Sequence, residues 1–278
     1  MRLSELGEQG LLDELERRGL ARGIEHDAAQ LEGGLVVTQD ALVEDVHFRL
    51  DWTTHKELGY KAAAVNLSDL AASGAEPLAL LVTLGAPGET RLEDVLELYA
   101  GLNEPGVPVV GGDTTSAERL YLSVTALGRS QRVPGRDGAR PGDLVVVTGP
   151  LGAAGAAFRK HRHTRPPLRL DAGRRLAGVA HALTDISDGV AVDAGRVARR
   201  SRCRIAIELK DVPLAEGATL DDLGFGEDYE LLAATPDTLG FPVIGRCEDG
   251  EGVGIRLNGE PVTLTGWEHF RGGESDLR

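Results

Sequence analysis

The sequence predicts a mixed α/β fold with layered helices and strands, and three observations support this class. Strand-like apolar runs alternate with helix-like segments in both halves of the 278-residue chain, which disfavours an all-helical bundle. Glycine is abundant at 37 residues, as is typical of chains with many tight turns or close backbone approaches to ligands. Aromatic residues make up only 4%, so the core must consist mainly of Ala, Val and Leu.

The first half of the chain carries alternating helix and strand signals. Leucines at helical spacing predict an amphipathic helix over residues 4–18, and the Ala- and Leu-rich stretch 56–73 predicts a second helix, ended by Gly74 and Pro77. A third helix is predicted around residues 92–102. Two strands are predicted to begin at Leu35 and at Leu78. A third is predicted in PVVGGDTT, where it is followed by a glycine turn, and a fourth in YLSVTALGR.

A change in composition marks a domain boundary. The segment VPGRDGARPGD, residues 133–143, holds two prolines and three glycines, so we predict an N-terminal domain over 1–135 and a C-terminal domain over 136–278. The second half again alternates. Strands are expected in LVVVTG, RIAIEL, FPVIGRC and GIRLNGEPVTL, and helices after Gly149 and after the turn in TDISDG.

The acidic composition restricts the partners of the chain. Its formal net charge is -14, so the long-range field would repel nucleic acid and anionic membranes, and we expect neither as a partner. The basic run 158–169 lacks interleaved aromatics and is interpreted as a solvated loop and helix face. Two cysteines are too few for a disulfide framework. With neither a signal-peptide pattern nor a bilayer-spanning apolar run, the sequence predicts a cytoplasmic protein.

Acidic residues beside Gly, Ser or Thr recur near probable strand ends. They lie in VVTQD (Asp40), NLSDL (Asp69), GGDTT (Asp113), DISDG (Asp185 and Asp188) and GEDYE (Glu227 and Asp228). Carboxylates are ligands that Mg²⁺ prefers, and nearby small residues let backbone N–H groups reach phosphate oxygens. Each segment alone is more typical of a turn or a helix cap. Together they indicate a site for a nucleotide and metal ions.

Several familiar catalytic signatures are absent from the sequence. No GxxxxGK[ST] occurs, and no GxGxxG follows a predicted strand, which disfavours ordinary P-loop and dinucleotide-binding enzymes. A GxSxG nucleophile motif is also missing, which disfavours a serine hydrolase of that type.

Taken in order, the motifs resemble the thiamine-monophosphate kinase family. This family belongs to an ATP-binding superfamily that includes aminoimidazole ribonucleotide synthetase and selenophosphate synthetase. The segments that carry the resemblance span nearly the whole chain: GIEHDAA, TQDALVEDVHF, YKAAAVNLSDLAASGAEP, VVGGDTT, RPGDLVVVTG, DISDG, GEDYEL and GWEHF. The resemblance implies a two-domain fold like that of aminoimidazole ribonucleotide synthetase, with an N-terminal domain that forms a homodimer and a C-terminal α/β domain over the nucleotide cleft.

The same resemblance implies the reaction and its participants. ATP and thiamine monophosphate would give thiamine diphosphate and ADP by direct phosphoryl transfer, with several bound Mg²⁺ ions. A phosphate monoester has its second pKa near ~6, so the acceptor needs no general base at neutral pH. Positioning and charge neutralisation are then the main tasks of the protein.

The resemblance also assigns expected roles to individual positions. The implied metal ligands are Asp27, Thr38, Gln39, Asp40, Asp69, Asp113, Asp185 and Asp188, of which Asp69, Asp113 and Asp188 are the predicted catalytic residues. Nucleotide contacts are implied at Gly112, Asp113, Arg136 and Ser187, and contacts with thiamine monophosphate at His47, Glu227 and Trp267. Outside this motif context, His47 would be typical of an exposed strand end and Trp267 of an anchor for the C-terminus.

The chain departs from the usual family pattern at a few positions. GIEHDAA stands where the family usually has GIGDDAA, so that Glu25 replaces a Gly and His26 replaces an Asp, which is a common oxygen ligand. The family usually has Thr at the position of Gln39 and often has Gly at the position of Asp45. Two alternatives therefore remain open. One is a non-catalytic protein that binds nucleotide or thiamine phosphate, and the other is a sister enzyme with a different phosphorylated acceptor. Selenophosphate synthetase is disfavoured because the N-terminal glycine segment has no cysteine.

Overall fold

The computed structural model describes residues 2–24, 26–267 and 270. Glu25 of the GIEHDAA motif lies outside the described residues. So do Glu268 and His269 of the GWEHF motif. The helices are α1 (Leu3–Arg17), α2 (His55–Ala72), α3 (Leu92–Asn103), α4 (Ala153–Phe158), α5 (Leu170–Ala177) and α6 (Val190–Ser201).

In the described part of the chain, twelve strands form two separate sheets, which confirms the predicted mixed α/β fold. The first sheet has the order β1-β2-β5-β3-β4 and the second β12-β11-β8-β10-β6-β9-β7. Their bounds are β1 Ala29–Gln30, β2 Leu35–Val43, β3 Glu76–Ala86, β4 Val109–Ser116, β5 Tyr121–Arg129, β6 Leu144–Val147, β7 Ala182–Asp185, β8 Arg204–Glu208, β9 Leu231–Thr235, β10 Val243–Glu248, β11 Gly252–Leu257 and β12 Glu260–Pro261.

The first sheet buries one face against α2. Alternate residues of its central strands point inward, including Val36 and Thr38 of β2, Val82 of β3 and Val124 of β5. This period of two is expected of a sheet with one covered face. The opposite face is partly exposed, and β4 forms an edge strand that pairs only with β3 within the described part of the chain.

Helix α2 lies between the two sheets and contacts elements of both domains. Its N-terminus is capped by Thr54, whose hydroxyl oxygen accepts a hydrogen bond from the Glu57 N–H at 3.1 Å. From Leu58 to Ala72 every residue is buried except Asp69. A helix that is apolar on all sides is expected where packing surrounds it. The helix can therefore carry a few polar side chains directly to the boundary between the domains.

The second sheet is covered on both faces. Helix α6 packs on one side, where Val190 and Val197 join a core with Ile205 of β8. Helix α5 packs on the other side together with the end of α2, in a core that includes Ala71 and Leu176. The two domains thus share one continuous hydrophobic layer through α2.

Two segments differ from the sequence predictions. The GGDTT motif is part of strand β4 and not of a turn. Glycine is needed at position 112 because an added Cβ would meet the Val82 carbonyl oxygen of β3 at 1.8 Å. Thr184 and Asp185, expected as the start of a turn, are the last residues of the buried edge strand β7, which pairs with β9. Both segments were predicted as turns because the glycines and aspartates in and beside them are typical of turns.

The basic run 158–169 is also more packed than predicted. The Arg165 guanidinium lies 3.7 Å from the centre of the Tyr60 ring, and the Tyr60 hydroxyl donates to the Pro166 carbonyl oxygen at 3.0 Å. His163 Nε2 accepts from the Arg49 backbone N–H at 3.1 Å. Parts of this segment therefore bridge the two domains instead of facing only solvent. Among the described helices, none combines the length and apolar character that a membrane-spanning helix needs.

A first prediction concerns the contact between α2 and α5. An alanine Cβ at Gly173 of α5 would lie 2.1 Å from the Ala71 carbonyl oxygen of α2. We expect Gly173→Ala to lower the free energy of unfolding by about 1–3 kcal/mol through overpacking, although alanine favours a helix. Gly195→Ala in α6 is the matched control, since its Cβ would meet only Val253 at 3.8 Å. Urea unfolding would measure both, and equal stability of the two variants would contradict the close packing.

Candidate active site

A cavity of about 1240 Å³ lies between the two domains. The first domain contributes residues before β1, along β2 and on α2, and the second contributes the segment before β6, the end of β7 and the start of α6. Helix α1 and the segment 264–267 complete the wall. The cavity walls include twelve of the fourteen site residues predicted from the sequence: Asp27, Thr38, Gln39, Asp40, His47, Asp69, Arg136, Asp185, Ser187, Asp188, Glu227 and Trp267.

Three carboxylates from distant parts of the sequence meet in this cavity. Asp27 lies just before β1, Asp69 lies in the last turn of α2, and Asp185 ends β7. One carboxylate oxygen of each lies within 4.8 Å of the other two. This spacing is suited to oxygen coordination of a divalent cation, and the oxygen-only donors favour Mg²⁺ or a similar hard ion.

Hydroxyl groups and one arginine fix the orientation of the three carboxylates. Thr38 Oγ1 lies 2.5 Å from Asp69 Oδ2, and Ser68 Oγ donates to Asp185 Oδ2 at 2.7 Å. Asp27 forms an ion pair with Arg136 and accepts from Thr184 Oγ1 at 3.1 Å. The cluster is therefore held in place by neighbouring side chains before any ligand binds.

Burial and mutual repulsion raise the pKa values of Asp69, Asp185 and the nearby Asp40. The pKa of Asp69 lies well above its usual value because of burial and then the charges of Asp40 and Asp185. Burial, followed by the charge of Asp27, raises the pKa of Asp185. For Asp40 burial and then the charges of Asp188 and Asp27 raise the pKa to about 6. Asp185 Oδ1 is also buried without a hydrogen-bond partner among the described residues. These observations fit carboxylates that receive compensating positive charge from a bound cation.

The DISDG loop presents Ser187 and Asp188 at the start of α6. Arg196 of α6 forms an ion pair with Asp188 at 2.6 Å, and Asp193 accepts from the Asp188 backbone N–H at 2.9 Å. Gly189 before the helix has φ 107°, a conformation that a side chain would disfavour. The loop thus aims its polar groups into the cavity from the N-terminal end of a helix.

A group of hydrogen-bonded residues beside the GEDYE loop forms one side of the cavity wall and the layer behind it. Lys61 Nζ donates to Glu227 Oε1 at 2.7 Å and to the His47 carbonyl oxygen at 2.9 Å. Glu227 has φ 57°, and its backbone N–H donates to the Ser187 carbonyl oxygen at 2.8 Å. The Trp267 backbone N–H donates to the Asp188 carbonyl oxygen at 3.0 Å. The GEDYE loop and the C-terminal segment are therefore attached to the DISDG loop.

Two predicted residues, Gly112 and Asp113, do not line this cavity. Both lie on the edge strand β4. In the sheet register Gly112 is opposite Val82, which is opposite Val124, which in turn is opposite Asp40. Three strand spacings separate β4 from β2, so the two backbones are about 14 Å apart. Within one chain, Asp113 and the aspartate cluster are therefore not brought together.

The residues that depart from the family pattern have defined contacts. His26 Nδ1 accepts from the Arg136 backbone N–H at 3.1 Å and so helps to position that arginine. Gln39 lies at the cavity, but its side-chain amide donates to Ser123 Oγ at 2.7 Å, away from the carboxylates. Asp45 adopts φ 62°, the left-handed conformation in which glycine is favoured, and pairs with Arg119.

Several residues of the site were not identified from the sequence. Lys61, Asn66 and Ser68 are polar side chains buried in the otherwise apolar α2, and that pattern is a signal that sequence reasoning could have used. Asn66 accepts from the Asp40 backbone N–H at 3.0 Å and so fixes β2 beside the cavity. Thr184 and Arg196 carried no comparable local signal.

Comparisons with known proteins identify the family to which the chain is similar. The family model for the N-terminal domain of AIR synthase related protein matches residues 25–130, and that for the C-terminal domain matches residues 140–238. The thiamine-monophosphate kinase of Aquifex aeolicus is 34% identical to this chain, over 97% of this chain and 100% of the relative. The thiamine-monophosphate kinase of Mycobacterium tuberculosis is also 34% identical, over 99% and 94% respectively.

A solved structure extends this similarity to the fold. The structure of AaThiL complexed with AMPPCP and TMP has a TM-score of 0.89 to this chain at 34% sequence identity. The match covers 97% of this chain and 99% of the other. Both domains are therefore shared with that protein in sequence and in structure.

A second prediction follows from the crowded carboxylates. Asp185→Asn keeps the shape of the side chain and removes one buried charge, so we expect the metal-free variant to melt at a higher temperature than wild type. Mg²⁺ at ~100 times its Kd would stabilise wild type by about 2.7 kcal/mol, and we expect most of this gain to be lost in the variant. Thermal unfolding in EDTA and in Mg²⁺ would measure both effects.

The control for this experiment is Asp249→Asn, at an exposed position that does not line the cavity. Its response to Mg²⁺ should equal that of wild type. The change of stability with pH gives a second test of the crowded carboxylates. The folded pKa of Asp40, about 6, lies above its usual 3.8, so metal-free stability should fall as the pH rises through this range. The Mg²⁺-induced gain should therefore be larger at neutral pH, and an equal gain in wild type and Asp185→Asn would contradict the site.

Proposed function

This chain belongs to the thiamine-monophosphate kinase family, and on that basis we propose that it transfers the γ-phosphoryl group of ATP directly to thiamine monophosphate, giving thiamine diphosphate and ADP. The observation that carries the proposal is the convergence of Asp27, Asp69 and Asp185 in a cavity between the domains. Phosphoryl transfer between two anions depends mainly on positioning and charge neutralisation, and this cavity is suited to both tasks.

We assign the metal-binding role to the carboxylates and their neighbours. Asp27, Asp69 and Asp185 would hold Mg²⁺, with Asp40 and Asp188 close enough to influence it electrostatically and Thr38 bonded to the cluster. Gln39 would contribute through its backbone, since its side chain is bonded to Ser123. When bound, Mg²⁺ neutralises phosphate charge that the acidic protein would otherwise repel.

The nucleotide and the acceptor would approach from two sides of this cluster. Arg136 and Ser187 would meet phosphate oxygens of ATP, and Arg136 is held for this purpose by Asp27 and Thr184. His47, Glu227 and Trp267 would contact thiamine monophosphate, whose cationic thiazolium ring suits the face of an aromatic side chain.

The transfer itself requires no proton abstraction from the acceptor. A phosphate oxygen of thiamine monophosphate forms the new bond to the γ-phosphorus, and the bond to the bridging oxygen of ADP breaks. Because this phosphate is already ionised at neutral pH, the protein needs no general base. The residues of the cavity bind and align the two reactants and exclude alternative geometries.

We further propose that the active form is a homodimer in which Asp113 serves the cavity of the partner subunit. Residues 110–116 of β4 are exposed at the sheet edge, and Leu81 and Val110 add apolar surface there. Gly112 and Asp113 lie outside the cavity of their own chain. A second copy placed against this edge would bury an exposed strand and could receive Asp113 in its own site.

A third prediction tests the metal cluster. Asp69→Asn removes a carboxylate charge while keeping the side-chain volume, so we expect kcat to fall by at least about 100-fold with the fold intact. A coupled assay of ADP release with thiamine monophosphate would measure this, with thiamine and a nucleoside monophosphate as alternative acceptors. Asp249→Asn is the control with unchanged turnover. Ligand binding by wild type without ADP release at any Mg²⁺ concentration would favour a non-catalytic binding protein.

A fourth prediction tests the contribution of Asp113 across the dimer. We expect Asp69→Asn and Asp113→Asn to be inactive alone, and their mixture, after exchange of subunits, to regain about one quarter of wild-type activity. Half of the dimers would then be mixed, and one of the two sites in each would be complete. If both aspartates served the same chain, no site would be complete and the mixture would remain inactive. Activity of Asp113→Asn alone would contradict any role for it.

A further inference from the structure

Lys61 occupies a central position that the proposed chemistry does not yet use. It lies on α2 with only 4% of its surface exposed. Its ammonium donates to Glu227 Oε1 at 2.7 Å and to the carbonyl oxygen of His47 at 2.9 Å. One buried cation therefore joins the two chain segments that carry the proposed contacts with thiamine monophosphate.

The location of Lys61 indicates that it acts through Glu227. Glu227 and His47 line the cavity that holds the aspartate cluster, whereas Lys61 does not. Lys61 instead lines a second, smaller cavity of about 480 Å³ on the other side of the ion pair, beside Trp52 and His163. The ammonium thus lies behind the Glu227 carboxylate as seen from the reactants, which separates it from the phosphates.

The Glu227 carboxylate depends on this ammonium in two ways. Its side chain is 7% exposed, and a carboxylate so buried is costly unless a cation is paired with it. Its backbone adopts φ 57°, next to Gly226 at φ 83°, so the turn itself is an uncommon conformation. The hydrogen bond from Lys61 fixes Oε1 of Glu227 toward helix α2. Among the described residues, the side-chain hydrogen bond shown to this carboxylate runs from Lys61 to Oε1, which leaves Oε2 open to a ligand.

We propose that Lys61 is a positioning residue for the acceptor: it holds the Glu227 carboxylate in the direction that lets Oε2 accept a hydrogen bond from the heteroaromatic part of thiamine monophosphate. This inference rests on the proposed function. Because Lys61 also holds the His47 carbonyl oxygen, a single ammonium sets the spacing between both sides of the acceptor site. On the nucleotide side, Arg136 is held by His26, Thr184 and Asp27, so its position should depend much less on Lys61.

The test separates acceptor binding from nucleotide binding. Lys61→Met should raise KM for thiamine monophosphate by roughly 10- to 100-fold, the effect of losing a hydrogen bond that involves a charged group. KM for ATP and kcat at saturating acceptor should stay within about threefold of wild type. Lys56→Met, on the same helix but exposed, is the matched control and should change none of these values.

A double variant keeps the proposal testable if Lys61→Met alone folds poorly. Lys61→Met with Glu227→Gln removes both charges together and leaves no unpaired buried ion. If Lys61 acts through Glu227, the double variant should have the same KM for thiamine monophosphate as Glu227→Gln within about threefold. A KM increase equal to the product of the two single effects would show independent roles and overturn the proposal.

Calorimetric titration of thiamine monophosphate, with Mg²⁺ and AMPPCP present, makes the inference separable from the proposed function. A wild-type protein that neither binds thiamine monophosphate nor releases ADP would refute the function, and this inference with it. A wild-type protein that binds it, with equal affinity in folded Lys61→Met, would refute the inference alone. Parallel loss of ATP and acceptor affinity would also overturn it, because this is the result of a purely structural role.

Discussion

The structure depends on a concentration of negative charge that the protein alone does not neutralise. Asp27, Asp69 and Asp185 lie within 4.8 Å of one another, and burial raises the pKa of both Asp69 and Asp185. Arg136 forms an ion pair with Asp27. Such a group is unfavourable in the absence of a cation and becomes favourable when metal and phosphate bind together. The surrounding hydroxyls and helix ends keep the carboxylates in place despite this repulsion.

The two ends of the cavity differ in how their negative charge is balanced. At the phosphate end, excess carboxylate charge calls for divalent cations, and Asp185 Oδ1 is buried without a protein partner among the described residues. At the acceptor end, Glu227 already has its cation in Lys61, so that the pair is neutral as a whole. A cationic ring can therefore lie near Glu227 without a large net field. Under the proposed function, this difference would favour an orientation of thiamine monophosphate with its phosphate toward the aspartates.

Local patterns in the sequence predicted the fold class, the family and twelve of the residues that line the cavity. Asp69 and the DISDG motif were identified because acids beside small residues at element ends are visible in a short window. The sequence did not reveal the role of Lys61, whose partner is 166 positions away. The sequence prediction of a turn at GGDTT was wrong. Gly112 is typical of a turn, but here glycine is required because the β4 backbone lies in close contact with β3. The roles of the site residues, Asp113 among them, stay predictions.

Helix α2 has a consequence for how the molecule gains its structure. One flank of this helix completes the core of the first sheet, and its last turn packs with α5 on the second. Neither half of the chain can bury its apolar surface fully without the other, since a helix surrounded by packing has no side suited to water. The two domains are thus expected to unfold as a single cooperative unit, and an isolated N-terminal half would expose Ala71 and its neighbours and tend to self-associate.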